Sequence, residues 1–195
     1  MALSLLFFAL LPQFHSRFCD RDAHHTSGTA GIRTIDFCNF SYPGIKTSRK
    51  TIGWPDPEFR LKEGVRPPED KFGSGLITLE AIEYADVTRD GQEDALITLI
   101  WHSGGTMQVG MVYVWSMKGS KPLALWDFAG GDRGYGGLCR VYETGGDLAL
   151  EVYDPDAAAG NCCSRRIIRK RFRWNGSKFV QQGKTVTLPN PDYQD

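Results

Sequence analysis

Four carboxylates crowd into one short stretch, "ADVTRDGQEDALITL" at residues 85–99: Asp86, Asp90, Glu93 and Asp94. Like charges this close are either diluted by solvent or drawn together by a cation. Asp86, Thr88, Asp90 and Asp94 stand at loop positions 1, 3, 5 and 9, Gly91 stands at position 6, and Gln92 at position 7 offers a backbone carbonyl. A flexible loop wraps calcium with such alternating oxygens, about six to eight in all, and a glycine at position 6 permits the sharp turn. Position 12 is Ile97 rather than a bidentate Glu, and the flanks read as strands, so the loop is not an EF-hand. The competing reading is an Asp-rich turn in which Asp86 and Asp90 accept backbone N–H groups and Glu93 faces water.

The spacing resembles the D-x-[DN]-x-D-G-x-x-D loops of FG-GAP and VCBS-type β-repeat proteins. Asp86, Asp90, Gly91 and Asp94 match, and Thr88 departs from the usual Asp or Asn. The resemblance implies a calcium loop between two strands, with Asp86, Thr88, Asp90, the Gln92 carbonyl and Asp94 as ligands. The motif occurs in one copy. The wider stretch from "IDFCNFSYP" to "RFRWNGSKF" resembles small exported bacterial β-proteins of unknown function, and no activity is carried over from them.

Other residues suggest other chemistry. "AGGDRGYGG" (129–137) lacks the G-K-[ST] ending of a phosphate-binding loop. If a small anion binds there, Asp132 and Arg133 mark the place. "RRIIRKRFRW" (165–174) sets Arg165, Arg169, Arg171 and Arg173 on one strand face and Arg166, Ile168, Lys170, Phe172 and Trp174 on the other. Such a strand suits a phosphate backbone with aromatic platforms. The preceding hairpin, however, carries Glu143, Asp147, Glu151, Asp154 and Asp156, and cross-strand pairing accounts for the stripe without nucleic acid. Trp101, Trp115, Trp126 and Trp174 are either a sugar-stacking surface or core. His102 sits beside Ser103, but adjacent strand residues point to opposite faces, and no G-x-S-x-G elbow is present.

The elements that must position these residues are strands. From Leu76 onward, runs rich in Val, Ile, Leu, Tyr, Phe and Trp meet across "KGS", "GG" and "NGS" turns, the signature of successive hairpins. The expected fold is all-β: an antiparallel meander of about eight or nine strands, as a curved sheet, sandwich or open barrel. "TIDFCNFSYP" (34–43) alternates and reads as a further strand. The Pro-rich stretch after it reads as a long surface connection with one short strand near "EFRLK".

The 195 residues suit one domain, and the formal net charge of zero recommends no polyanion or membrane overall. "MALSLLFFALL" is too short to span a bilayer and has the length of a signal-peptide core. The expected organisation is a leader over 1–33, holding His15, His24 and His25, a β-domain over 34–188 and a tail over 189–195. No transmembrane span is expected. The cysteines fit no zinc spacing. If Cys19 leaves with the leader, Cys38, Cys139, Cys162 and Cys163 remain as disulfide candidates, and the adjacent pair either closes on itself or reaches the other two. Together these point to an exported, non-catalytic binding or interaction module with one calcium loop and a protein or glycan partner. The alternatives are a carboxylate- or metal-assisted hydrolase and a carbohydrate-binding module.

Overall fold

The computed structural model describes residues 19, 31–45, 57–69, 74–160 and 162–193. The expected leader, except Cys19 and residues 31–33, lies outside them, as do His15, His24 and His25.

Eight strands follow Ser74 in the expected meander. Strands β4 (Ser74–Ala85), β5 (Asp94–Ser103), β6 (Gln108–Lys118) and β7 (Lys121–Asp132) form one sheet, with β3 (Val65–Arg66) at its edge. Strands β8 (Leu138–Thr144), β9 (Asp147–Tyr153), β10 (Arg166–Trp174) and β11 (Phe179–Pro189) form a second sheet. All pairings are antiparallel, and neither sheet closes into a barrel. A third, two-stranded sheet joins β1 (Ser41–Pro43) to β2 (Glu58–Arg60), the short strand expected near "EFRLK".

The five-stranded sheet is the middle layer. One face, with Ile77, Leu79, Ile97, Leu99, Met111 and Tyr113, packs under the N-terminal segment through Ile32, Phe37, Tyr42 and Leu61. The other, with Leu96, Val112 and Val114, packs against Val141, Leu148, Leu150 and Phe179 of the second sheet. This is why "ALITLIW" and "VYVW" are nearly unbroken apolar runs: both faces of β5 and β6 are buried, so alternation disappears. Two tyrosines fasten the upper layer. The Tyr42 hydroxyl donates to the Phe37 carbonyl at 2.8 Å, and the Tyr113 hydroxyl to the Pro43 carbonyl at 2.6 Å.

Several expectations need correction. "TIDFCNFSYP" is not one strand. Asp36 caps a 3-10 turn at Phe37–Asn39, accepting the N–H groups of Cys38 and Asn39 at 3.1 and 3.2 Å, and only Ser41–Pro43 is extended. An Asp side chain that binds the backbone two and three residues on outcompetes the ladder. The expected boundary at 33/34 falls inside another 3-10 turn, Gly31–Thr34, whose Ile32 is buried in the core. Cys19 does not stand apart from the fold, because it is disulfide-bonded to Cys38. Cys162 and Cys163 close on each other, which leaves Cys139 as a free thiol rather than a disulfide partner. At the other end, Asn190 is buried and bonded rather than part of a loose tail.

Candidate functional site

The acidic loop joins β4 to β5. Asp86 accepts the N–H of Asp90 at 3.1 Å and of Gly91 at 2.9 Å, and Asp90 accepts that of Gln92 at 2.8 Å. Gly91 has φ +85°, the left-handed conformation that the turn requires. Asp94 is fully buried, and its Oδ2 accepts the N–H groups of Val87 and Thr88. Its Oδ1 is buried without a hydrogen bond. Burial pushes this carboxyl up, although Ser116 and Thr88 favour its charged form. The fourth acid, Glu93, turns away to Arg33 in a two-pronged ion pair at 2.5 and 2.8 Å. The donors are the hard oxygens that suit calcium. Among the described residues, however, no three His, Cys, Asp or Glu side chains gather as a metal-holding group. Asp86 and Asp90 serve the turn in this conformation, so a calcium ion would require the loop to tighten around it.

Arg89, at φ 62°, carries the loop's remaining charge outward. Its guanidinium donates to the carbonyls of Gly145 and Gly146 and to Asp147, tying the first sheet's loop to the turn between β8 and β9. Asp147 also receives Arg171 and Arg173, and Glu151 receives Arg140, Arg169 and the Tyr142 hydroxyl. Both carboxylates are at most 1% exposed. The hydrogen bond from Arg173 and the neighbouring guanidiniums hold the Asp147 carboxyl below its usual range. Burial pushes Glu151 up, but Arg140, Arg169 and Tyr142 outweigh it and leave that carboxyl lowered as well. The cross-strand pairing expected for the basic strand is present, with Arg89 and Arg140 as partners that strand spacing alone did not identify. On the opposite face Phe172 and Trp174 pack against the core beside Trp126, and Trp115 is buried, so these aromatic rings serve packing.

"AGGDRGYGG" is close-packed. A Cβ on Gly134 would lie 2.6 Å from the Cys163 carbonyl oxygen, and one on Gly130 would lie 2.8 Å from the Leu138 nitrogen. Asp132 accepts the Gln108 N–H at 2.9 Å and is thereby committed to β6, and it lies 3.5 Å from Arg133 Nε, which is buried without a hydrogen bond.

The close approach at Gly134 seats the Cys162–Cys163 disulfide at the rim of a cleft of about 270 Å³. Tyr153, Asn190, Asp192 and Tyr193 complete the lining. Asn190 organises the far wall: its amide donates to the Ser164 carbonyl at 2.8 Å, and its carbonyl accepts the Asp192 N–H at 3.1 Å. Arg165 donates to the Tyr193 hydroxyl at 3.3 Å. Tyr153, pushed up to about 12 chiefly by burial, contacts the Cys139 thiol, which burial also pushes up. Among the expected site residues only Cys162 and Cys163 belong here. Asn190, Asp192 and Tyr193 were assigned to the tail, where no periodicity marks them. His102 is distant in kind: half-buried on β5, its Nε2 3.5 Å from the Thr78 hydroxyl, with its pKa lowered by burial.

Among the described residues no helix is long and apolar enough to cross a membrane. The chain matches no family model, no curated protein and no solved structure.

Proposed function

We propose that the chain is a non-catalytic binding module of an exported protein, that it takes a small sugar-like ligand in the cleft over the Cys162–Cys163 disulfide, and that the acidic loop is a structural calcium turn. The cleft carries the reading. Two tyrosine rings and a disulfide offer apolar surface to the C–H face of a sugar ring, while the Tyr193 hydroxyl and Asp192 offer polar groups to its hydroxyls. A pocket of about 270 Å³, just below the roughly 300 Å³ at which pockets for drug-sized ligands begin, suits a ligand no larger than a single ring. Export is supported by the two disulfides, the chemistry of an oxidising compartment. A structural role for the carboxylates is supported by their partners: Asp147 and Glu151 are held by arginines, and Asp86 and Asp90 accept backbone N–H groups of their own turn.

Calorimetric titration of the full chain with a panel of neutral and acidic mono- and disaccharides tests the ligand. The expected result is saturable binding of at least one member, weakened at least tenfold by Tyr193→Ala. No heat from any member, or binding unchanged in Tyr193→Ala and in Tyr153→Ala, would overturn the assignment.

A further inference from the structure

The outer face of the second sheet has an uneven distribution of charge. Four arginines, Arg140, Arg169, Arg171 and Arg173, surround two carboxylates, Asp147 and Glu151, leaving a surplus of two positive charges. Depth sharpens the imbalance. The carboxylates are no more than 1% exposed, whereas the guanidinium-bearing side chains are 34–50% exposed. The acids lie beneath and hold the arginines upright, so solvent meets chiefly the positive layer. Each guanidinium has about five N–H donors, and the ion pairs use only some of them.

The edge strand adds apolar groups to this layer. Val186 pairs with Arg169, and Val180 with Arg173, so these valines share the arginine face, and they are 48% and 37% exposed. A nucleic acid would want aromatic platforms, but Phe172 and Trp174 point to the core. Guanidiniums flanked by exposed aliphatic side chains on one open sheet face suit a surface of phosphate groups with hydrocarbon just beneath.

We propose that this face docks on an anionic phospholipid surface, with Arg140, Arg169, Arg171 and Arg173 meeting phosphates and Val180 and Val186 entering the interfacial region. Two surplus charges favour anionic over neutral bilayers on the order of thirtyfold. The proposal does not depend on the sugar cleft. It is tested by co-sedimentation of the full chain with vesicles of phosphatidylcholine alone and of phosphatidylcholine mixed with phosphatidylglycerol, at low and moderate salt. Substituting an arginine leaves a buried carboxylate short of a partner, so the informative variant is Val180→Glu with Val186→Glu, both at exposed positions. The expected result is binding to the mixed vesicles that weakens with salt, is absent on phosphatidylcholine alone, and drops at least tenfold in the double variant with its circular dichroism unchanged. No binding to mixed vesicles would overturn the proposal. So would binding that the double variant retains, or duplex DNA competing for the chain as strongly as the vesicles do.

Discussion

Asp94 and Asp147 are the same chemical group at the same depth, and their surroundings push them in opposite directions. Asp147 meets three guanidiniums and stays charged, while Asp94 meets backbone N–H groups and leaves one oxygen unbonded. Linkage fixes the signs. The Asp147 carboxyl is lowered on folding, so its contribution is present above the ordinary carboxylate range and is lost as pH falls through the lowered value. Asp147→Asn should therefore cost roughly 2 kcal/mol at neutral pH, and the cost should shrink in acid. Asp94 is raised, so its charged form is penalised at neutral pH and relieved as pH falls through that raised value. Asp94→Asn should compare best with the parent at neutral pH and lose ground in acid. Urea denaturation across pH checks both, and parallel profiles for the two variants would contradict the assignment. The proposed calcium turn makes its own prediction at this scale. Calcium at about a hundredfold above its dissociation constant should add roughly 2.7 kcal/mol, read as a melting shift of several degrees that magnesium reproduces less well. Asp90→Ala should abolish the shift. A melting temperature identical in chelator and in excess calcium would leave the loop as an Asp-rich turn.

At the level of elements, what could be read from the sequence was whatever local physics decides. "KGS", "GG" and "NGS" between β-branched and aromatic runs specify hairpins within a few residues, and all three are present. The loop acids that bond their own backbone were also legible, because Asx turns are local. Two features were hidden. The 3-10 turn at Phe37–Asn39 depends on the Asp36 cap, which alternation of apolar residues does not reveal. The cleft depends on three segments far apart in sequence, at Tyr153, Cys162–Cys163 and Asn190–Tyr193, and only the fold brings them together. The glycines of "AGGDRGYGG" suggested a place for a small anion, yet they permit close packing. Gly134 can be tested directly. A Cβ there would press on the Cys163 backbone at 2.6–3.0 Å, and that backbone accepts the Ala159 N–H and cannot easily retreat. Gly134→Ala should destabilise by about 1–3 kcal/mol, whereas Gly105→Ala, with only ordinary contact to the Ser103 hydroxyl oxygen at 3.6 Å, should cost less. Thermal denaturation of the pair checks this. Equal losses would mean that the close approach carries no strain.

For the molecule as a whole, the central sheet needs both faces covered, and the two covers are secured differently. The second sheet follows the first directly in the meander and buries Leu148, Leu150 and Phe179 against it. The other cover is a short N-terminal segment with little secondary structure, placed over Ile97, Leu99 and Tyr113 by Ile32, Phe37, Tyr42 and the Cys19–Cys38 bond. That bond spans 19 positions in the chain, and cross-linking a loop of such length removes denatured-state entropy worth about 3 kcal/mol. The Cys162–Cys163 bond joins neighbours and encloses no chain, so it has no such entropy to remove. The two disulfides should thus separate cleanly. Replacing Cys19 and Cys38 together by Ser should lower the melting temperature by several degrees, at about 2–4 °C per kcal/mol, and should first loosen amide protection over the face of β5 and β6 beneath the N-terminal segment. Replacing Cys162 and Cys163 together should leave the melting temperature nearly unchanged while altering the cleft that they line. Hydrogen exchange with differential scanning calorimetry distinguishes the outcomes: if the second pair proves the costlier to remove, the N-terminal segment is held by its buried side chains alone, and the adjacent cysteines brace the scaffold rather than shape a site.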